Sequence, residues 1–154
     1  MRAMIASSPV PVFPEPTLVE KLFNRAFGFL VGLGFGLKYN YLLQVRGRKS
    51  GRLYSTPINL LETGGKKFLI APRGRTQWVR NVQATGEIVL KKGNSIQNFR
   101  AVAVPEAERP ALLKLYVESF TTTVQRYFPV AASSPPEDFR PIAANYPVFE
   151  LHPA

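Results

Sequence analysis

The chain has 154 residues and a formal net charge of +10, with 45% hydrophobic and 19% charged residues. This length and composition predict one globular domain, 1–154, and argue against a disordered chain. The chain has no cysteine and a single histidine, His152, which excludes disulfides and thiolate metal sites and leaves a Ser-His-Asp triad or a zinc site without its usual residues.

The first 16 residues are predicted to form an extended arm, because their prolines lack an amide donor and restrict the preceding residue. Thr17 and Glu20 have the spacing of a capping box, which predicts a helix over 17–38. Residues 26–37 of this helix are apolar and uncharged but too few to span a bilayer. The helix is expected to cover a barrel mouth, a dimer surface or a membrane surface, and these alternatives stay open.

From Tyr41 the hydrophobic pattern has a period of two, which predicts strands. The expected elements, in chain order, are strands 41–46, 53–62 and 66–71, which form a meander, a helix 77–84, strands 87–91 and 96–104, a helix 106–120 and a strand 147–151. Six strands joined mostly as hairpins favour a small antiparallel barrel, mainly β with flanking helices, over residues 39–154.

The positive charge is concentrated in one segment. Residues 46–100 hold 12 of the 20 Lys and Arg residues and two acidic residues, whereas the rest of the chain holds eight of each sign. A concentrated basic block favours a site for a particular anion, and a solvated basic face is the alternative.

The turn at residues 47–51, with the sequence G-R-K-S-G, lies between the first two predicted strands. Glycines let a backbone approach an anion closely, and Arg48, Lys49 and Ser50 can donate hydrogen bonds from one place. A phosphate would satisfy these donors. The spacing of a Walker loop is missing, and a plain charged hairpin is the alternative.

A second cluster, I-A-P-R-G-R-T-Q-W-V-R-N over residues 70–81, ends a strand and begins the short helix. Its loop carries Arg73 and Arg75, and the free amides of a helix N-terminus favour negative charge. The two basic turns are therefore expected to face one anionic ligand. Trp78 is expected either to stack on a ring system or to fill the core.

Together the two clusters resemble the deazaflavin-dependent nitroreductase family, a branch of the split-barrel flavin-binding proteins. The resemblance covers roughly residues 42–104 and rests on L-L-Q-V-R-G-R-K-S-G, T-P-I at residues 56–58, I-A-P-R-G and W-V-R-N. It implies a split β-barrel that binds the deazaflavin coenzyme F-420, whose tail carries a phosphate and a polyglutamate chain. The coenzyme would carry the chemistry, so no catalytic residue and no metal is assigned.

The resemblance also implies the residues of the cofactor site. In the family, the positions that match Arg48, Lys49 and Ser50 bind the tail. Pro57 matches a position beside the ring, and the loop and helix positions close the site. The implied set is Arg48, Lys49, Ser50, Arg52, Pro57, Ala71, Pro72, Arg73, Gly74, Arg75, Trp78 and Asn81.

Three departures from the family pattern affect the substrate side most. Tyr54 stands where many members have a further arginine, for which Arg52 is the expected substitute. The loop reads A-P-R-G-R where the family often has A-S-x-G-G, and Asn59 replaces a larger residue after the proline. Substrate contacts are expected at Asn59, Tyr116 and Tyr127.

The implied function is an oxidoreductase of the nitroreductase or quinone reductase type, which transfers a hydride from reduced F-420 to a quinone, nitroaromatic or other activated acceptor. The alternatives are an FMN-binding oxidoreductase on the same barrel and a non-enzymatic carrier of a cofactor or lipophilic ligand. A nucleic-acid partner is not expected, because no nucleic-acid motif is present. A cytoplasmic location is expected, while a homodimer and a peripheral membrane contact on the inner face stay open.

Overall fold

The structure is a computed structural model that describes residues 38–154. The predicted arm and all but the last residue of the predicted helix 17–38 lie outside the described residues, so the division of the chain into arm, helix and barrel stays a prediction. The described elements are β1 (Asn40–Arg46), β2 (Leu53–Asn59), β3 (Leu61–Thr63), β4 (Lys66–Ile70), α1 (Gln77–Thr85), β5 (Glu87–Lys92), β6 (Ser95–Ala103), α2 (Arg109–Ser119), α3 (Thr121–Val124) and β7 (Val148–Pro153). Three 3-10 segments accompany them, Glu106–Glu108, Gln125–Tyr127 and Pro136–Asn145.

The strands form one antiparallel sheet in the order β2-β1-β5-β6-β7-β4-β3. The two edge strands, β2 and β3, follow each other in the chain with only Leu60 between them. The sheet must therefore curl until its edges approach each other, as in a barrel. Leu60 is fully buried at this bend, and its amide donates to the Tyr39 carbonyl over 2.8 Å.

The bend at Leu60 corrects one prediction. The pattern predicted a single strand over 53–62 within a meander, but the structure divides this segment into β2, which pairs with β1, and β3, which pairs with β4 at the opposite edge. Alternation along a segment shows that it is a strand and does not show which distant strand pairs with it. The antiparallel barrel is confirmed, with seven strands where six were predicted.

Apolar residues pack against both faces of the curled sheet. One buried cluster includes Leu43 from β1, Leu69 from β4 and Leu90 from β5, together with residues of α1. A second cluster joins β4 and β7 to α2 and the 3-10 segment Pro136–Asn145, where Phe139 is fully buried. Helix α1 and the end of β1 are thereby held together at one end of the sheet.

The predicted helix 106–120 is a 3-10 turn followed by α2. Pro110 lies in the first turn of α2, where its missing amide costs no intrahelical hydrogen bond. Over residues 38–154, none of the helices has both the length and the apolar character needed to cross a membrane.

Candidate functional site

Two glycines shape the turn between β1 and β2. Gly51 has a φ of +74°, in the left-handed region that glycine adopts readily. At Gly47 a Cβ atom would lie 2.7 Å from Cε2 of Tyr54 and 2.9 Å from Oγ of Ser50, so a larger residue would push both side chains away. The Gly47 amide donates to the Arg52 carbonyl over 2.7 Å and closes the turn. The three polar side chains between the glycines are thus carried on one defined loop.

Helix α1 holds this turn through a buried amide. Asn81 is only 5% exposed on the side of α1 that packs near β1. Its Oδ1 atom accepts hydrogen bonds from the Arg48 backbone amide over 3.1 Å and from Arg48 Nη1 over 2.8 Å. The same Nη1 donates to Oε1 of Gln77 over 3.0 Å. The orientation of the Arg48 guanidinium is therefore set by two uncharged amides.

Among the described residues, no neighbouring acid neutralises the charge of Arg48. The ion pairs among residues 38–154 involve Lys66, Lys114 and His152, and none includes Arg48. An arginine that is oriented by neutral groups keeps its full charge for an external anion, and its planar fork suits phosphate or carboxylate.

A cavity of about 580 Å³ lies between this turn and the N-terminus of α1. Among the described residues, two cations, five hydroxyl-bearing side chains and two carboxamides line it together with Trp78, and no acidic side chain does. The lining residues are Gly47, Arg48, Lys49, Ser50, Tyr54, Ser55, Thr56, Thr76, Gln77, Trp78 and Asn81. This composition suits a small molecule that carries an anionic group.

The N-terminus of α1 faces the same cavity. Thr76 directly precedes the helix, but its hydroxyl does not cap it and is buried without a hydrogen-bond partner among the described residues. The first turn of α1 contains no acidic residue, and the leading amides of a helix lack intrahelical acceptors. A phosphate in the cavity would offer acceptors to the Thr76 hydroxyl and to these amides, at the positive end of the helix dipole.

Two aromatic side chains border the cavity. Trp78 is half-buried, packs against the cluster that contains Leu43 and also lines the cavity. The two predicted roles, filling the core and stacking on a ring system, therefore do not exclude each other. Tyr54 is 47% exposed, its hydroxyl lies 3.5 Å from Oγ of Ser50, and the Arg52 guanidinium lies 5.9 Å from its ring centroid. A ligand with both a flat ring and a phosphate would match these aromatic and polar groups.

The structure brings five of the predicted cofactor residues to this cavity, namely Arg48, Lys49, Ser50, Trp78 and Asn81. Arg75 lines a neighbouring cavity. The other predicted positions do not line either of these cavities: Arg52, Pro57, Ala71, Pro72, Arg73 and Gly74. Ala71 is 1% exposed within a core cluster, and the Arg52 guanidinium lies over the Tyr54 ring.

The three predicted substrate residues do not line this cavity. Tyr116 is 2% exposed within the cluster around α2, and Tyr127 packs at the edge of that cluster. Burial raises the pKa of the Tyr116 hydroxyl, and a hydrogen bond with Asn59 opposes this rise, so the hydroxyl stays neutral at physiological pH. Asn59 in turn accepts a 2.5 Å hydrogen bond from Nδ2 of Asn40. In the described structure these contacts are structural, and a role in substrate binding stays a prediction.

Sequence reasoning missed five residues that line the cavity, Tyr54, Ser55, Thr56, Thr76 and Gln77. Two signals point to four of them. The first three follow the basic turn on β2, and Thr76 occupies the position before a helix where a hydroxyl usually caps. Within residues 38–154 no group of three or more His, Asp or Glu side chains could hold a metal ion.

The family model for F420H(2)-dependent quinone reductase matches residues 19–131. No curated protein matches the chain significantly. A solved F420-H2 dependent reductase is 22% identical, with a TM-score of 0.51 over 75% of this chain and 95% of its own. A structure described as a domain-swapped dimer is 20% identical, with a TM-score of 0.52 over 87% of this chain and 93% of its own. A NimC/NimA family protein from Clostridium acetobutylicum is 12% identical, with a TM-score of 0.51 over 82% and 77%. These likenesses establish the fold, and the predicted split β-barrel is confirmed.

Proposed function

Because the chain belongs to the F420H(2)-dependent quinone reductase family, we propose that the cavity between the β1–β2 turn and α1 holds its cofactor F-420 and that a quinone receives the hydride. The chain is an F-420-dependent oxidoreductase, as the resemblance predicted. The coenzyme, when bound, supplies the hydride, and the protein binds and orients the coenzyme.

The observation that carries the proposal is an arginine at the cavity that uncharged groups already orient. Arg48 is held by Asn81 and Gln77 with its charge uncompensated, and the unpartnered hydroxyl of Thr76 lies at the same cavity. We assign the tail phosphate of F-420 to Arg48, Lys49 and Ser50, with Thr76 and the first amides of α1 as further donors. Trp78 and Tyr54 border the remaining part of the cavity and are assigned to the ring.

FMN is the second candidate, because it also carries a phosphate. The basic block of residues 46–100 has a balance of +10 and favours the ligand with more negative charges, which is F-420. Titration of the full chain with each cofactor tests this choice. We expect F-420 to bind at least about tenfold tighter than FMN, and tighter binding of FMN would contradict the assignment.

The acceptor is proposed to be a quinone, in line with the family description. The test follows the absorbance of reduced F-420 after addition of a soluble naphthoquinone or a nitroaromatic compound. A higher kcat/KM for the quinone than for the nitroaromatic compound supports the proposal, and oxidation only by the nitroaromatic compound would contradict it.

A homodimer is supported by the structural neighbour described as a domain-swapped dimer, and light scattering of the full chain tests it.

Asn81→Asp is expected to weaken F-420 binding about tenfold without unfolding the protein. The substitution preserves shape, but the new carboxylate would neutralise Arg48 and repel the coenzyme phosphate. Binding is measured by titration and folding by the thermal midpoint. If Asn81→Asp leaves both the affinity for F-420 and the thermal midpoint unchanged, the uncompensated charge of Arg48 does not contribute to F-420 binding and the proposal is contradicted.

A further inference from the structure

The end of the sheet opposite the basic 47–51 turn carries lysines beside exposed apolar groups. Strand β1 leads from Asn40 to Arg46 and then into the turn, so its first residue lies roughly 20 Å from its last. The antiparallel register sets Lys91 of β5 opposite Leu42, near the start of β1. The β5–β6 hairpin therefore reverses at the end of the sheet that is remote from the basic turn.

Two lysines at this end lie over tyrosine rings. Nζ of Lys38 is 5.2 Å from the ring centroid of Tyr39, and Nζ of Lys92 is 5.0 Å from that of Tyr41. Nζ of Lys92 also donates to the Lys38 carbonyl over 2.8 Å, which joins the two pairs. Lysine and tyrosine each combine an apolar body with a polar tip, and both are favoured where an apolar layer meets water.

An exposed isoleucine adds an apolar group at the same end. Ile96 lies opposite Lys91 near the tip of the β5–β6 hairpin, and its exposed fraction of 61% exceeds that of the other large hydrophobic side chains in residues 38–154. Tyr39 is 36% exposed. The uncharged apolar segment 26–37 joins the described chain at Lys38, beside these groups. Apolar sequence and exposed apolar side chains thus adjoin one another here.

The charge at this end is positive. Neither Lys38 nor Lys91 forms an ion pair among the described residues. Glu62 lies near Tyr41, whose hydroxyl has a raised pKa because of burial first and this carboxylate second. Three lysines against one carboxylate attract an anionic partner. A bilayer with anionic headgroups also accepts exposed apolar side chains, whereas a nucleic acid offers phosphates without an apolar layer.

We propose that this end of the sheet docks the protein on an anionic lipid bilayer. The docking surface consists of Lys38, Tyr39, Tyr41, Lys91, Lys92 and Ile96. In this orientation the 47–51 turn faces the aqueous side, where an anionic coenzyme dissolves and is not repelled by the headgroups. The inference does not depend on which cofactor the protein binds.

The first test is co-sedimentation of the full chain with vesicles of phosphatidylcholine and phosphatidylglycerol in equal amounts, and with vesicles of phosphatidylcholine alone. We expect binding to the anionic vesicles that falls as salt is added. Lys38→Gln/Lys91→Gln/Ile96→Ser should weaken this binding at least about tenfold. Lys92 is kept because its ammonium holds the Lys38 carbonyl.

The matched control is Arg100→Gln/Arg140→Gln/Val102→Ser. It removes the same number of charges and one exposed aliphatic side chain of β6, all from positions outside the docking surface. The control should bind the anionic vesicles within about threefold of the unmodified protein, because charges distant from the headgroups are screened by salt. The thermal midpoint of each variant shows that it is folded.

The second test locates the contact without weakening it. The chain has no cysteine, so a single introduced cysteine can carry an environment-sensitive dye. Asn94→Cys places the dye in the exposed turn between β5 and β6, and Leu53→Cys places it at the start of β2, beside the basic turn. We expect anionic vesicles to shift the emission of the Asn94→Cys label to shorter wavelength and to leave that of the Leu53→Cys label unchanged.

Four results would overturn the inference. They are the failure of the unmodified chain to bind anionic vesicles, unchanged binding of Lys38→Gln/Lys91→Gln/Ile96→Ser, and an equal loss of binding in the control. The fourth is a shift of the Leu53→Cys label alone, which would place the basic turn on the bilayer. A shift of the Asn94→Cys label that follows protein concentration and ignores vesicles would also contradict it, because a second copy of the chain would then cover this end. None of these results bears on the binding of F-420.

Discussion

Replacing Arg48 and Lys49 together by alanine is expected to weaken F-420 binding by about 3 kcal/mol, or roughly a hundredfold. Each side chain can donate a charge-assisted hydrogen bond to the tail phosphate, and each such bond contributes about 1.5 kcal/mol. Arg48 is already oriented before the ligand binds, so little side-chain entropy is lost when it meets the phosphate. The dissociation constant is measured by titration with F-420 at fixed ionic strength.

The control for this pair is Lys67→Ala/Arg140→Ala, which removes two positive charges from residues that line neither cavity. It should bind F-420 within about threefold of the unmodified protein, because neither residue lines a cavity and a charge without direct contact to the ligand is weakened by salt screening. A folded Arg48→Ala/Lys49→Ala variant with unchanged affinity would contradict the tail assignment. So would an affinity of the unmodified protein that does not fall as salt is added.

Tyr116→Ala is expected to lower the free energy of unfolding by about 4 kcal/mol, because it leaves a cavity in the core. The Tyr116 ring packs edge-to-face on Phe120 at a centroid distance of 5.4 Å and lies 6.2 Å from Phe128. Its hydroxyl is also hydrogen-bonded with Asn59, the last residue of β2 before the bend at Leu60. Denaturation with urea, followed by fluorescence or circular dichroism, measures the change.

Tyr116→Phe separates the structural role from the predicted substrate role. It retains the ring contacts and removes one partner of Asn59, so the free energy of unfolding should fall by about 1 kcal/mol. The KM for the quinone should stay unchanged if the buried hydroxyl is structural. A raised KM at unchanged stability would instead support the substrate contact that sequence reasoning assigned to Tyr116.

Much of the fold could be predicted because its signals are local. The alternation that begins at Tyr41 predicted β1, and the glycines of the 47–51 turn predicted where the first hairpin reverses. The start of α1 at Gln77 was also predicted. Each of these features depends on residues within a few positions, and their spacing in the chain is sufficient to recognise them.

The site could be predicted only in part. The turn residues and two residues of α1 were found because charge and family motif mark them, and the structure brings them to one cavity. Tyr54 was noted as a departure from the family pattern, and its place at the cavity was not foreseen. It follows from the packing of its ring on Gly47, a contact between residues seven positions apart across a turn.

The sequence by itself determined most of the elements and the concentration of positive charge, and it predicted an anion site at the 47–51 turn. Only the tertiary structure decided that the segment 53–63 divides at Leu60 between opposite edges of the sheet. It also decided that Arg75 shares a cavity with Arg48 and that Tyr116 is buried. Strand pairing and side-chain burial depend on contacts between residues far apart in the chain. Periodicity shows which face of an element is apolar, but it does not show which element covers that face.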